Sequence, residues 1–68
     1  MKVNYDQASD TLTIVLRDDV AITESDEDRP GVVLDYDAEG GLVSVEILQA
    51  SRVTDTRRIE YEATESDV

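Results

Sequence analysis

The carboxylates crowded into the middle of this chain are its side chains best suited to chemistry. Asp35, Asp37, Glu39 and Glu46 fall at places 1, 3, 5 and 12 of a calcium-loop spacing, with Gly40 at place 6 and the aliphatic Leu42 at place 8. Oxygens at those intervals wrap a hard cation when a helix flanks the loop on each side. Here the flanks, residues 32–34 and 43–47, are rich in β-branched residues and favour strands. In a hairpin Asp35 and Glu46 belong to paired strands, so they are not expected to enclose one ion together with the turn.

Other acids stand side by side: Asp18 with Asp19, the run Asp26, Glu27 and Asp28, and the near neighbours Glu60 and Glu62. Acid/base hydrolysis needs one carboxyl desolvated beside a cleft. A chain of 68 residues has little room to build one, so these groups read as solvated turns. No histidine is present to activate Ser9, Ser25, Ser44, Ser51 or Ser66. Gly31, Gly40 and Gly41 are not followed by lysine and do not form a phosphate-cradling loop. Cysteine is absent too, which removes disulfides and thiolate metal sites. No catalytic residue and no cofactor is therefore expected. Arg52, Arg57 and Arg58 form the one cationic cluster, and nearby acids such as Asp55 and Glu60 are expected to neutralise it.

The elements that must position these groups are strands. Residues 31–48 hold two apolar runs around a Gly-containing turn, which is a hairpin signal. With a loop at residues 37–40, Leu34 would face Val43 and Val32 would face Val45. Val32, Leu34, Tyr36, Val43, Val45 and Ile47 would then share one face, and Val33, Asp35, Leu42, Ser44, Glu46 and Leu48 the other. Residues 2–16 make a first hairpin, with Val3 opposite Ile14 and Tyr5 opposite Leu12. In its turn, Asp6 and Asp10 are each placed to accept bonds from amides a few residues on. Residues 20–25 read as a third strand, residues 26–29 as a polar link, and residues 49–53 as one short helical turn. Residues 57–63 alternate Ile59, Tyr61 and Ala63 against charged neighbours, the pattern of a late strand.

The fold class expected is mostly β, with a small α+β arrangement as the variant: an antiparallel meander of four to five strands built on the hairpins 2–16 and 31–48. Residues 1–63 would form one domain and residues 64–68 a polar, frayed tail. So short a chain buries only ~60% of its unfolded surface. Its net charge of −11 disfavours nucleic acid and anionic membrane as partners. No apolar run approaches the ~20 residues that span a bilayer, and no apolar leader opens the sequence, so the cytoplasm is the expected location. Lys2 is the one lysine among six cations. Acidity with so little lysine is the habit of proteins from salt-rich, halophilic cytoplasm.

The opening V-x-Y-D of Val3, Tyr5 and Asp6, the T-L-T-I-x-L of residues 11–16, and P-G-V-V-L-D-Y-D through V-E-I-L-x-A-S over residues 30–51 resemble the YuzE-like small proteins, domain of unknown function family 2283. The resemblance implies a compact antiparallel β domain with no assigned catalytic residue. Some members are suspected antitoxins, encoded beside small ribonuclease-like toxins. A sheet with an apolar face and no helix to cover it must curl on itself, meet a second copy, or meet another protein. The expectation is a non-catalytic interaction module, antitoxin-like, whose partner is a small basic protein. The alternative is a homo-oligomeric structural domain.

Overall fold

The computed structural model describes residues 1–66. Five strands form one antiparallel sheet: β1 Lys2–Asp6, β2 Thr11–Val15, β3 Glu24–Arg29, β4 Val32–Tyr36 and β5 Leu42–Leu48. Their order across the sheet is β1-β2-β5-β4-β3. The β1–β2 hairpin and the β3–β4–β5 meander are joined where β5 pairs with β2. A single 3₁₀ turn, Ala50–Arg52, follows β5.

The first hairpin has the register its alternation implies, Val3 opposite Ile14 and Tyr5 opposite Leu12. The second departs from the expected one. Leu34 pairs with Val45 and Val32 with Ile47, a slip of two residues. Because side chains alternate with period two, that slip keeps these four on a common face. The loop is longer than expected: the amide of Asp37 donates to the carbonyl of Gly41 (2.9 Å), and Tyr36 pairs with Leu42. A register shift beside Tyr36 absorbs the extra residue and exchanges Leu42 with Val43 between the faces. Val43, expected on the apolar face, is 2% exposed and borders the same cavity as Asp35, Ser44, Val20 and Ile22.

The third strand is not residues 20–25. It is Glu24–Arg29, the segment expected to be a polar link. All six residues are exposed, because β3 sits at the sheet edge and is held by its backbone to β4. An edge wetted on both faces needs no apolar alternation, so its side chains gave no strand signal. Residues 16–23 carry the chain over one face of the sheet and bring Val20 down onto it.

Residues 57–63 form no strand; Ile59 and Tyr61 are exposed. Of the tail expected at residues 64–68, the part through Ser66 is exposed and without regular structure, and Asp67 and Val68 lie outside the described residues. Among the described residues, only Val43 and Ala50 are buried apolar side chains. Leu12, Ile14, Val32, Leu34, Val45 and Ile47, which make the apolar face, all keep part of their surface in water.

Candidate functional site

The face opposite the apolar one carries a buried acid. Asp35 belongs to the otherwise apolar strand β4, and alternation turns it away from Leu34 and Tyr36. It is 2% exposed. Two hydroxyls donate to it, Ser25 Oγ to Oδ1 and Ser44 Oγ to Oδ2, both at 2.6 Å. The registers put them there, since Ser25 and Ser44 are its cross-strand partners on β3 and β5. Glu46 shares a further hydrogen bond with Asp35.

The two carboxyls titrate apart. Burial pushes Asp35 up, but the bonds from Ser25, Ser44 and Glu46 outweigh it and hold its carboxyl below the ordinary range. Glu46 is raised, first by donating its proton to Asp35, then by burial and by the repulsion of that neighbouring charge. Of the two, Glu46 is therefore the carboxyl that keeps its proton to higher pH. Above it lies a cavity of about 400 Å³, bordered by Lys2, Thr13, Val15, Arg17, Val20 and Ile22. The oxygens of Asp35 are taken up by partners within the sheet, so the pair acts as a knot across β3, β4 and β5.

The four residues of the calcium spacing separate into two groups. Asp35 and Glu46 lie in this knot. Asp37 is fully engaged in the β4–β5 turn: Oδ1 accepts the amides of Glu39 (2.9 Å) and Gly41 (2.8 Å), and Oδ2 accepts Arg17 Nη2 (2.7 Å). These bonds, the Arg17 pair foremost, lower its pKa. The side chain of Glu39 is exposed on the loop. Among the described residues no three acids converge on a metal position.

Arg17 also donates from Nε to the carbonyl of Leu42 (3.2 Å), tying the β2–β3 connection to the turn. Gly41 makes this clamp feasible. A Cβ there would lie 2.8 Å from Arg17 Nη2 and 2.9 Å from Asp37 Oδ2. Gly41→Ala is expected to destabilise the fold by about 1 kcal/mol, the low end for overpacking. In an Arg17→Ala background the share of that cost owed to the guanidinium should vanish and the share owed to Asp37 should remain, as a urea double-mutant cycle would read. An undiminished cost there would place the strain elsewhere.

A second knot closes the far end of the sheet. Asp10, in the left-handed region at φ 52°, accepts Tyr5 Oη and Ser51 Oγ at 2.6 Å each and the amide of Ser51 at 3.0 Å. Its carbonyl accepts the amide of Ala50. The hydroxyls of Ser51 and Tyr5 lower its pKa. The expectation that Asp10 bonds to amides just after it is corrected, since its side chain reaches forty-one residues along the chain. Asp6 does bond locally, accepting the amide of Ala8 and the hydroxyl of Ser9.

The remaining candidates stay dispersed. Asp18, Asp19, Asp26, Glu27, Asp28, Glu60 and Glu62 are exposed. Arg57 pairs with Asp55 (3.4 Å) and Arg58 with Glu60 (2.7 Å), as the clustering of opposite charges implies. Sequence reading passed over the Ser25–Asp35–Ser44 knot. Its signal was present, in a lone acid set within the run Val32, Val33, Leu34, Asp35, Tyr36.

These features define a small antiparallel β domain pinned by polar knots. Residues 2–51 match the family described as protein of unknown function, DUF2283, and the chain belongs to that family. The matched span covers all five strands and ends at Ser51, the partner of Asp10. No curated protein and no solved structure matches the chain. No helix among the described residues is long and apolar enough to cross a membrane.

Proposed function

We propose that this chain is a non-catalytic protein-binding domain that covers a small basic protein in the manner of an antitoxin. The observation that carries the reading is the open apolar face. Leu12, Ile14, Val32, Leu34, Val45 and Ile47 line it, in and beside the middle of the sheet, yet none is buried. Sheets bury such a face against another layer, and here a partner is the layer that fits.

Charge selects the kind of partner. The chain carries −11, and Glu24 and Asp26 border the apolar face through their pairing with Tyr36 and Leu34. A basic surface with an apolar centre complements that arrangement. Catalysis has less support, because Asp35, the buried carboxyl among the described residues, has both oxygens engaged by hydroxyls within the sheet.

The test is co-expression with a small basic protein encoded beside this one, followed by titration of the labelled chain. Growth should be rescued, and amide shifts should concentrate at Leu12, Ile14, Leu34 and Val45. Shifts confined to the turns, or no rescue, would sink the reading. A second copy on the same face would show as shifts that depend on the concentration of this chain alone. Turnover of any substrate abolished by Asp35→Asn or Glu46→Gln would overturn the non-catalytic assignment.

A further inference from the structure

Residues 57–63 carry a strand pattern with no strand to pair with. Ile59 and Tyr61 alternate with Arg58, Glu60 and Glu62, as in a half-buried strand. In the single chain both apolar side chains are exposed, at 63% and 81%. At the opposite end of the strand order, among the described residues, no strand pairs with the outer edge of β3. An unpaired edge is a template for another extended segment.

We propose that residues 57–63 of one copy add antiparallel to the outer edge of β3 in a second copy. One register satisfies both pattern and charge. With Arg58 opposite Glu27, Arg57 falls beside Asp28, Ile59 opposite Asp26, Glu60 opposite Ser25 and Tyr61 opposite Glu24. Asp26 and Glu24 are the partners of Leu34 and Tyr36, so Ile59 and Tyr61 extend the apolar face. Both arginines meet acids, and neither Glu60 nor Glu62 lies opposite one. Slipping two residues one way sets Arg58 against Arg29 and Glu60 against Glu27. Slipping two the other way leaves Arg58 opposite Ser25. Like charges across a ladder are destabilising, which rules out the first slip, and the second keeps one arginine–acid pairing, Arg57 with Asp26, in place of two.

The other free edge, β1, offers Lys2 and Asp6 and no net charge to attract the arginines. The ion pairs Arg57 and Arg58 make within their own chain are exposed and weak enough to exchange, and the turn their amides form on Asp55, itself exposed, opens as the segment extends. Opposing the association is the repulsion of two chains at −11 each. That repulsion acts over long range and is screened at about 4 Å in 0.5 M salt, where directly opposed charges still interact. The inference rests on the C-terminal segment and the β3 edge, and it is independent of the partner assigned to the apolar face.

The test is sedimentation equilibrium of the full chain in 0.5 M NaCl, up to millimolar concentration. The expected species has twice the 7.5 kDa chain mass. Arg57→Glu with Arg58→Glu should weaken association at least tenfold, and so should Ile59→Asp with Tyr61→Asp. Mixing the arginine variant with a Glu27→Arg, Asp28→Arg copy should restore a mixed dimer. Contacts between Ile59 and Asp26 in a half-labelled sample should confirm the register. A monomer at millimolar concentration would overturn the proposal. So would a dimer that both tail variants leave intact.

Discussion

Asp35→Ala should remove about 3 kcal/mol of stability, the scale for deleting one member of a buried hydrogen-bonded charge cluster. Three neighbours lose their acceptor at once. Ser44 is itself 2% exposed and would be left with a stranded hydroxyl, while Ser25 and Glu46 would each lose a bond. In a domain of this size such a loss lowers Tm by about 12 °C or more. Urea denaturation near pH 4, where Glu46 still holds its proton, should show a lower midpoint at an unchanged slope. Asp35→Asn, which keeps one carbonyl acceptor, should cost less than half as much. A change within about 0.5 kcal/mol for Asp35→Ala, the range of an ordinary surface substitution, would mean the knot contributes nothing.

Glu46→Gln should act in the opposite direction, and only at higher pH. Glu46 holds its proton more tightly in the folded sheet than in the unfolded chain. Its contribution is therefore full below its ordinary value of 4.5 and is lost as pH rises through its raised folded value. Asp35, Asp37 and Asp10 are shifted the other way. They contribute above their ordinary value of 3.8, and that contribution fades as pH falls through their lowered folded values. Stability should thus peak in mildly acidic solution, between the two sets.

A glutamine amide donates to Asp35 at every pH. Glu46→Gln should match the parent near pH 4 and exceed it by about 1 kcal/mol at pH 7, one hydrogen bond's net worth. The groups around Glu46 are Lys2, Arg17 and Asp18 across the cavity and Glu27 on β3, and the substitution leaves them in place. Melting curves from pH 4 to 8 check this. A difference between the two proteins that stays constant from pH 4 to 8 would show that Glu46 does not change its ionisation in that range and would overturn the prediction.

Much of this architecture is legible because apolar alternation reports which face of a strand each side chain takes. Val3, Tyr5, Leu12 and Ile14 gave their pairing residue for residue. Val32, Leu34, Val45 and Ile47 gave the correct face despite a slipped register, since a shift of two leaves the parity of a strand unchanged. What alternation cannot report is a strand that buries nothing. Glu24–Arg29 is held by main-chain bonds and the one hydroxyl of Ser25, so its side chains show no apolar alternation. The bulge that moved Val43 inward was hidden for a related reason, because Gly40 and Gly41 allow loops of four or five residues equally well.

The polar knots were harder to see. Asp10 stood out as a turn residue, yet its partners Tyr5 and Ser51 are brought to it by topology. Asp35 with Ser44 was within reach, because the true register makes them direct partners. The register that alternation alone implies, slipped by two, sets Asp35 opposite Leu42 instead. Asp37 was noted for the spacing of its oxygens, and the spacing served a turn instead: its carboxylate takes the place of backbone partners for Glu39 and Gly41.

The strand order has a consequence for synthesis. β2 pairs on its inner side with β5, and β5 ends at Leu48. While the chain is still emerging from the ribosome, Thr11–Val15 has a neighbour on one flank only, and its second flank waits for some thirty further residues to be made. At about 5–20 residues per second that interval lasts seconds, long enough for nascent hairpins on adjacent ribosomes to meet. The dense acidity of the intervening β3 segment emerges within that window, ahead of β5 and beside the waiting strand, and it would keep neighbouring nascent chains apart until the sheet can close.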